Sequence, residues 1–323
     1  MVVVFFGTPR FAVPTLQHLL NSPHRVAGVV TQPDRPRGRG QKVTHAPVKT
    51  LALERGVPVF QPDRLKPPDV AAALQAWQPD VAVVAAYGRI IPEHLLTIPR
   101  LGMINVHASL LPKYRGAAPV HRAVMNGDTE TGVTIMRVVK ELDAGPMLAT
   151  ITRPIGPDET SNVVEEALAE MGASLLVTVV DKMAAGTARG EPQDDATATY
   201  APRLTKEEGQ IDWSQASFAI HNRVRGLYPW PHAYTHLKGA RLIVRRTQLK
   251  ADLEGPRRSE EGPPRTAFTA GTILSVGPEA IHVATGDGQI AIVEIQPEGR
   301  RPMGIRDFVA GHRIAAGDVL SQS

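Results

Sequence analysis

The stretch V-V-V-F-F-G-T-P-R-F-A-V-P-T-L-Q-H-L-L, residues 2–20, joins a short apolar run to a helical pattern through Gly7. Its first five residues are all β-branched or aromatic, which is typical of a strand buried on both faces. The segment after Gly7 predicts a helix, in which Pro14 is tolerated because the first backbone N–H groups have no helical partner. The stretch therefore predicts a strand followed directly by a helix.

The same alternation continues to about residue 150. Apolar runs at 26–30, 57–60 and 80–86 predict further buried strands, and residues 46–56 predict a helix that ends at a glycine. Strands that alternate with helices indicate an α/β fold with a doubly wound, mostly parallel, Rossmann-like sheet. Such sheets bind ligands beyond the carboxyl ends of their strands. A long helix is predicted at 161–185.

The pattern changes after this helix. Residues 187–206 carry few large apolar groups and predict a linker between a first domain at 1–186 and a smaller domain at 207–323. Short strands separated by Lys-Gly and Asp-Gly turns predict a small β-barrel or sandwich in the second domain. The polar insert at 251–265 predicts a disordered hairpin loop.

Composition narrows the class of protein. The chain has 323 residues, 42% hydrophobic and 21% charged, which is ordinary for a globular protein with two domains. It has no cysteine, which excludes disulfides, cysteine nucleophiles and thiolate metal sites. The N-terminus lacks a secretion signal, and no apolar run reaches the roughly 18 residues that span a bilayer. We expect a cytoplasmic monomer that does not bind membranes.

Positive charge is concentrated in one stretch, residues 31–50, where five cationic residues stand against Asp34 alone. This local excess equals the net charge of +4 of the whole chain. Glycine and proline spacers predict a loop. One interpretation is a solvated surface loop, and the other is a loop that binds a polyanion, because arginine supplies both charge and forked donors to phosphates.

The turn at Gly7, Thr8 and Pro9 lies where a dinucleotide-binding fold would carry several glycines. A single glycine gives little support to a nicotinamide or flavin site, and no Walker-type loop occurs. The alternative is a tight turn in which Thr8 caps the helix.

Asn105 and His107 stand two residues apart in I-N-V-H-A-S-L-L-P, residues 104–112. Alternate residues of a strand share a face, so these two side chains point together while Ile104 and Val106 point to the core. One interpretation is local hydrogen bonding by each side chain. The other is an oxyanion site for acyl-type transfer, because both side chains can donate to a developing negative charge.

Asp143 is the third candidate, in the turn E-L-D-A-G-P-M-L at 141–148. Asp-Ala-Gly is favourable turn chemistry, so structure alone explains it as well. If Asp143 folds beside His107, its carboxylate would favour the protonated imidazole. A protonated imidazole is what an oxyanion stabiliser or general acid needs.

Five segments of the chain resemble the methionyl-tRNA formyltransferases, a branch of the folate-dependent formyltransferase family. They are F-F-G-T-P-R-F-A-V-P-T-L, T-Q-P-D-R-P-R-G-R-G, Y-G-R-I-I-P, I-N-V-H-A-S-L-L-P-K-Y-R-G-A-A-P and E-L-D-A-G-P-M-L. The resemblance extends into the second domain through R-L-T-K-E-E-G-Q-I-D-W and R-G-L-Y-P-W-P-H-A-Y. It implies transfer of the formyl group of 10-formyltetrahydrofolate to the α-amino group of methionine on initiator tRNA for translation initiation, with no metal. It also implies that the second domain is an OB-like barrel.

The resemblance also implies roles for particular residues. Asn105 and His107 would bind the formyl oxygen, and Asp143 would pair with His107 and assist proton removal from the amine. The implied folate contacts are Ser109, Leu110, Leu111, Pro112, Arg89, Ile90 and Ile91. The implied tRNA contacts are Arg35, Arg37, Arg39, Lys42, Lys206, Arg223, Arg225, Arg245 and Arg246, with Arg39 first.

Two other functions stay open at this point. A formyltransferase that uses a small amine acceptor would have no use for the arginine-rich loop or the second domain. A non-catalytic RNA-binding protein would not need Asn105, His107 or Asp143.

Overall fold

The computed structural model describes residues 1–37, 42–249 and 268–321. The chain divides into two compact units. Unit 1 comprises Met1–Pro119, Glu130–Arg153 and Glu165–Pro202, and unit 2 comprises Val120–Thr129, Pro154–Val164 and Arg203–Ser323. The domain boundaries at 186 and 207 stay a prediction, and the insert at 251–265 lies outside the described residues.

Unit 1 is built on a seven-stranded sheet, which confirms the predicted mostly parallel, doubly wound fold. Its strands are β1 (Val2–Gly7), β2 (Arg25–Val30), β5 (Val59–Phe60), β6 (Val81–Ala85), β7 (Met103–His107), β9 (Glu130–Arg137) and β10 (Met147–Pro154). Two short hairpin strands, β3 (Arg35–Arg37) and β4 (Lys42–Thr44), pair with each other outside it.

The order of the sheet is β10-β9-β7-β6-β1-β2-β5. The pairs from β7 through β6, β1 and β2 to β5 are parallel, so their carboxyl ends meet at one edge. The pair of β7 and β9 is antiparallel, with His107 opposite Thr134. We call the common edge of the parallel strands the carboxyl edge.

The described helices include those predicted after β1, at 46–56 and at 161–185, together with others. They are α1 (Ala12–Leu20), α2 (Pro47–Glu54), α3 (Pro68–Ala76), α4 (Glu93–Leu96), α5 (Pro119–Asn126), α6 (Ser161–Ala184), α7 (Ser217–Gly226) and α8 (Ile305–Gly311). Thr8 does not cap α1, because its Oγ1 accepts a hydrogen bond from the Gln32 N–H instead. In α6, a Cβ at Gly172 would lie 3.0 Å from the Val106 side chain, so this glycine lets the helix approach β7 closely. Among the described residues, no helix is long and apolar enough to cross a membrane.

Unit 2 contains the predicted second sheet, whose described strand pairs are all antiparallel. Its strands are β12 (Ala233–Leu237), β13 (Ala240–Gln248), β14 (Ile273–Val276), β15 (Ile281–Ala284), β16 (Gln289–Pro297), β17 (Met303–Gly304) and β18 (Leu320–Ser321). Lys238 and Gly239 join β12 to β13 with positive φ angles of 52° and 80°, which matches a two-residue hairpin turn. Alternate residues of β12 are buried, as a sheet with one face on a core requires.

The predicted linker has regular structure of its own. Tyr200–Ala201 forms β11, which pairs in parallel with β8 (Arg115–Gly116). A single turn of 3-10 helix precedes it at Asp195–Thr197, and another follows at Glu207–Gly209. Low hydrophobicity indicated a linker here because many of the contacts that order these residues are hydrogen bonds, which hydrophobicity does not show.

Candidate active site

His107 is the last residue of β7 and lies at the carboxyl edge of the sheet. Ile104 and Val106 are buried, whereas Asn105, two residues before His107 on the same face, is half-buried. Within the part of the chain that the structure describes, no group hydrogen-bonds the Asn105 side-chain amide. The strand therefore presents one polar face with an available amide donor, as the alternation predicts.

The His107 ring is 5% exposed, and a polar group lies close to each of its two nitrogens. Its Nε2 lies 3.0 Å from the Tyr114 carbonyl oxygen, and its Nδ1 lies 3.7 Å from Oδ2 of Asp143. A carbonyl only accepts, so Nε2 carries the proton of this hydrogen bond. The distance to Asp143 is too long for a hydrogen bond but short enough for charge attraction. Nδ1 is thus the ring nitrogen left for a substrate.

Asp143 is held from the backbone of another loop. Its Oδ2 accepts a hydrogen bond of 2.9 Å from the Gly116 N–H. Asp143 has a φ of 49°, a left-handed conformation that aspartate adopts more readily than most residues. Gly116 has a φ of 119°, and a Cβ there would lie 2.8 Å from the Ala201 carbonyl oxygen. The close pairing of β8 with β11 therefore requires glycine at this position.

The turn after His107 contains four predicted folate contacts. The Ser109 side chain is buried and donates a hydrogen bond of 2.6 Å to the Lys113 carbonyl, and the Leu111–Pro112 peptide is cis. Thr134 on β9 donates to the Ser109 carbonyl and accepts from the Leu111 N–H. The turn is thus fixed against the neighbouring strand, and Ser109 has an internal partner rather than a free hydroxyl.

The other three predicted folate contacts follow β6 at the same edge. Arg89 donates hydrogen bonds to the carbonyls of Pro62 and Asp63, which holds this loop against the segment after β5. Ile91 packs against the hydrophobic core, whereas Ile90 is 85% exposed. An exposed, large apolar side chain beside a polar site is typical of a surface that covers an apolar or aromatic ligand.

A cavity of about 250 Å³ opens along the carboxyl edge. It is lined by residues that directly follow the ends of β1, β2 and β6, among them Thr8, Gln32, Asp34, Ala86 and Gly88. The prediction that ligands bind beyond the carboxyl ends of the strands agrees with this position.

Asp34 lies at the base of the β3–β4 hairpin and is not free to act on a substrate. Lys49 Nζ donates to its Oδ2 at 2.6 Å and Gln61 Nε2 to its Oδ1 at 3.2 Å, and His45 Nδ1 lies 2.9 Å away. Burial raises the pKa of Asp34, but these hydrogen bonds together outweigh burial and hold the pKa well below its usual value. The charge of Asp34 is therefore used to fix the entry into the hairpin.

Comparison with known proteins agrees with this geometry. Residues 1–180 match the formyl transferase family, and residues 203–313 match the formyl transferase C-terminal domain. The chain belongs to the formyl transferase family. It is 46% identical over 318 residues to a methionyl-tRNA formyltransferase from Trichlorobacter lovleyi, covering 98% of this chain and 96% of that protein.

Two solved structures share the fold. The crystal structure of WlaRD, a sugar 3N-formyl transferase, superposes with a TM-score of 0.65 at 17% identity over 93% of this chain and 99% of that one. HypX from Aquifex aeolicus superposes with a TM-score of 0.63 at 16% identity over 97% of this chain. This chain spans about half the length of HypX, 48% of that protein.

The predicted tRNA contacts of this formyltransferase differ widely in their surroundings. Arg35, Arg37 and Lys42 lie in the strands of the β3–β4 hairpin, and Arg39 lies outside the described residues. Lys206 and Arg246 are exposed. Arg223 is half-buried and donates a hydrogen bond of 2.6 Å to the Glu208 carbonyl.

Arg225 has a structural position within unit 2. Its side chain is 5% exposed, and it donates hydrogen bonds to the Asn222 amide oxygen and to the carbonyls of Gly156 and Glu159. The Nε and NH1 donors of Arg225 are therefore directed at other residues of unit 2. The structure therefore argues against the prediction that Arg225 contacts tRNA. The sequence pattern of α7 gave no sign that residues 156–159 pack over the last turn of this helix.

Arg245 is half-buried and stacks over the Tyr228 ring at 5.0 Å. Its NH1 donates a hydrogen bond of 2.9 Å to Nε2 of His232. Burial, and then the charge of Arg245, lower the pKa of His232 to about 4. His232 is therefore neutral near pH 7 and serves as an acceptor for Arg245.

Several groups around the pair of His107 and Asp143 were not predicted. The Gly116 N–H and the Tyr114 carbonyl are backbone groups, which no residue pattern identifies. Gln193 donates to the carbonyls of Asp143 and Gly145 from the predicted linker, 50 residues after Asp143. Its surroundings, which are poor in large apolar residues, gave no signal. Among the described residues, no group of His, Asp and Glu side chains is arranged to hold a metal ion.

Proposed function

We propose that the protein transfers the formyl group of 10-formyltetrahydrofolate to the α-amino group of methionine carried by initiator tRNA. The observation that carries the proposal is the pair of His107 and Asp143 beside Asn105 at the carboxyl edge of a formyl transferase sheet. The acceptor is supported by the similarity to a named methionyl-tRNA formyltransferase along nearly the whole length of both chains. A site in the cytoplasm and a monomeric state stay predictions.

In this mechanism, Asn105 and His107 stabilise the negative charge that develops on the formyl oxygen when the amine attacks. The Asn105 amide has no competing partner among the described residues, and Nδ1 of a protonated His107 donates from the same strand face. Donors aimed at developing charge typically contribute roughly 2.7–4 kcal/mol each. The Asp143 carboxylate lies 3.7 Å from Nδ1, close enough to attract positive charge on the ring.

Asp143 also assists removal of a proton from the attacking amine. Its Oδ2 accepts from the Gly116 N–H, which leaves lone pairs of the carboxylate for an amine or a bridging water. One half-buried acid thus serves both the imidazole and the nucleophile.

The donor folate is assigned to residues 109–112 and to Arg89, Ile90 and Ile91. When bound, it supplies the activated formyl carbonyl. A crystal structure of WlaRD, which has the same fold, was determined in the presence of 5-N-formyl-THF. The rigid turn at 109–112 and the exposed Ile90 fit a ligand with a flat ring, because both offer backbone and apolar contact rather than charge.

The test is formylation of methionyl initiator tRNA by the purified chain over a range of salt concentrations. We expect transfer to the tRNA and a rate at subsaturating tRNA that falls steeply with salt, because phosphate contacts release counterions. Arg39→Ala should reduce the salt slope by about one unit per lost phosphate contact and leave folate binding unchanged.

Arg100→Ala is the matched control, because Arg100 is exposed, pairs with Asp80 and precedes β7 at the opposite edge of the sheet. It should leave the salt slope unchanged. Formylation of a small amine, such as an amino sugar nucleotide, without use of methionyl-tRNA would contradict the proposed acceptor.

A further inference from the structure

The segment 191–201, which the sequence predicts to be part of a linker, reaches both loops that hold the His107–Asp143 pair. We call it the clamp segment. Glu191 pairs with Met147 at the start of β10, and Tyr200 and Ala201 pair with Arg115 and Gly116. It therefore lies alongside the loop that carries Asp143 and the loop whose N–H binds the Asp143 carboxylate.

Gln193 makes the central contacts of the clamp segment. Its Oε1 accepts hydrogen bonds of 3.0 and 2.8 Å from Nε and NH2 of Arg115. Its Nε2 donates to the carbonyl oxygens of Asp143 and Gly145, both at 2.8 Å. The two donors and two acceptor sites of the amide are all used. One side chain thus ties a buried guanidinium to both sides of the turn at Asp143.

Arg115 gives these contacts a fixed base. The Arg115 side chain is buried, at 4% exposed. It also forms an ion pair of 2.6 Å with the Asp195 carboxylate, which lies in the clamp segment as well. A buried guanidinium needs acceptors, so Arg115 binds Gln193 in one orientation. This orientation directs the Nε2 donors of Gln193 towards the Asp143 turn.

The Asp143 turn depends on such contacts because its own internal hydrogen bond, from the Ala144 N–H to the Glu141 carbonyl, is long at 3.5 Å. The backbone at Asp143 is left-handed, and the carboxylate has one hydrogen bond of 2.9 Å and a loose 3.7 Å contact to His107. A rotation of this backbone would move the carboxylate directly away from the imidazole.

The clamp segment also supports the other side of the histidine. Thr199 Oγ1 accepts a hydrogen bond of 2.9 Å from the Tyr114 N–H, and the Tyr114 carbonyl accepts from Nε2 of His107. Both ring nitrogens of His107 therefore face groups whose backbone is bound to this segment.

We infer that Gln193 is a positioning residue for formyl transfer, which acts by holding the turn of Asp143 at its distance from His107. This role rests on the proposed function. The Gln193 side chain contacts neither the His107 imidazole nor the Asp143 carboxylate. Its loss therefore alters the distance between these two groups and leaves substrate binding intact. The clamp segment is accordingly part of the active-site structure as well as a connection to unit 2.

The decisive variant is Gln193→Glu. It keeps an acceptor for Arg115 but removes both donors to the Asp143 turn and places a carboxylate against two carbonyl oxygens. Gln193→Leu, which removes all four hydrogen bonds, is the stronger perturbation. Asp194→Ala is the matched control, because it deletes the hydrogen bond that the Ala196 N–H donates to the neighbouring carboxylate in the same segment.

We expect Gln193→Glu to lower kcat by about tenfold or more, with KM for methionyl-tRNA within a factor of two, because small misplacements of reacting groups cost rate rather than affinity. The midpoint of its pH–rate profile should shift, because the environment of the imidazole changes. Asp194→Ala should match the wild type in both. An unchanged kcat in Gln193→Glu, or an equal loss in Asp194→Ala, would overturn the inference.

A readout without substrate separates this inference from the proposed function. The imidazole nitrogen resonances of His107, identified by their loss in His107→Ala, should move in Gln193→Glu and stay in place in Asp194→Ala. If the wild type fails to formylate methionyl-tRNA, the function is wrong, yet the His107 resonances still report positioning. If the protein formylates and the resonances do not move, the positioning role is wrong.

Discussion

The sequence predicts functional residues both at the carboxyl edge of unit 1 and among the arginines of unit 2. The surroundings of these two sets of residues differ in the structure. At the edge, Asn105 and His107 share a face of β7, and Nδ1 of His107 lies 3.7 Å from Asp143. In unit 2, Arg225 is internal, and Arg246 on β13 is exposed. Strand alternation assigns a side chain to a face, whereas the charge of an arginine does not reveal whether its partner is a phosphate or a carbonyl of its own chain.

The largest effect should come from the edge. His107→Ala removes one oxyanion donor and the partner of Asp143, so we expect the single-turnover rate of formyl transfer to fall by about 10² or more. The measurement is rapid quench of the enzyme with saturating folate donor and methionyl-tRNA.

His24→Ala is the matched control for this variant. His24 is also a buried histidine of unit 1, and its Nε2 lies 3.0 Å from the Asp181 carboxylate, away from the carboxyl edge. It should change the free energy of unfolding and leave the single-turnover rate near that of the wild type. A rate near wild type for His107→Ala would remove the catalytic role of the edge.

Arg225→Ala should have the next largest effect, on stability. It removes the buried guanidinium that donates to the carbonyls of Gly156 and Glu159 and to the Asn222 amide oxygen, which we expect to lower the free energy of unfolding by about 2–4 kcal/mol. Urea denaturation of the full chain measures this. A stable variant with a reduced salt slope for tRNA would reverse the comparison and make Arg225 a direct contact.

Arg246→Ala should show the opposite behaviour with a smaller effect. Because Arg246 is exposed, we expect the free energy of unfolding to change by about 0.5 kcal/mol or less. If Arg246 contacts a phosphate, the salt slope of kcat/KM for methionyl-tRNA should fall by about one unit. An unchanged slope would restrict the tRNA surface to other cations.

A further effect depends on pH and concerns His232, whose pKa of about 4 lies below its ordinary value of 6.5. The unfolded ring binds a proton at higher pH than the folded ring. The unfolding free energy therefore holds its full His232 contribution above pH 6.5 and loses it as pH falls towards 4. His232→Asn, which tolerates the positive φ there, should weaken this decline between pH 7 and pH 4.5 in urea titrations. An identical decline in both proteins would show that His232 is not responsible.

Sequence alone determined the elements that depend on local pattern. A continuous apolar run predicted β1, the alternation of polar and apolar residues predicted β7, and helical spacing predicted α1 and the long helix α6. The Lys238–Gly239 turn followed from the preference of its residues. The shared face of Asn105 and His107 followed from the same period. These features depend on neighbours within a few residues, so a single strand or helix contains all the information that they need.

Only the tertiary structure decided which distant groups meet. It put Asp143 beside His107, bound Nε2 of His107 to a backbone carbonyl, buried Arg225 under residues 156–159 and tied Gln193 to the Asp143 turn. The physical reason is that backbone donors and acceptors are identical at every residue. Their partners are therefore selected by the packing of segments far apart in the chain, not by the residue types that the sequence shows.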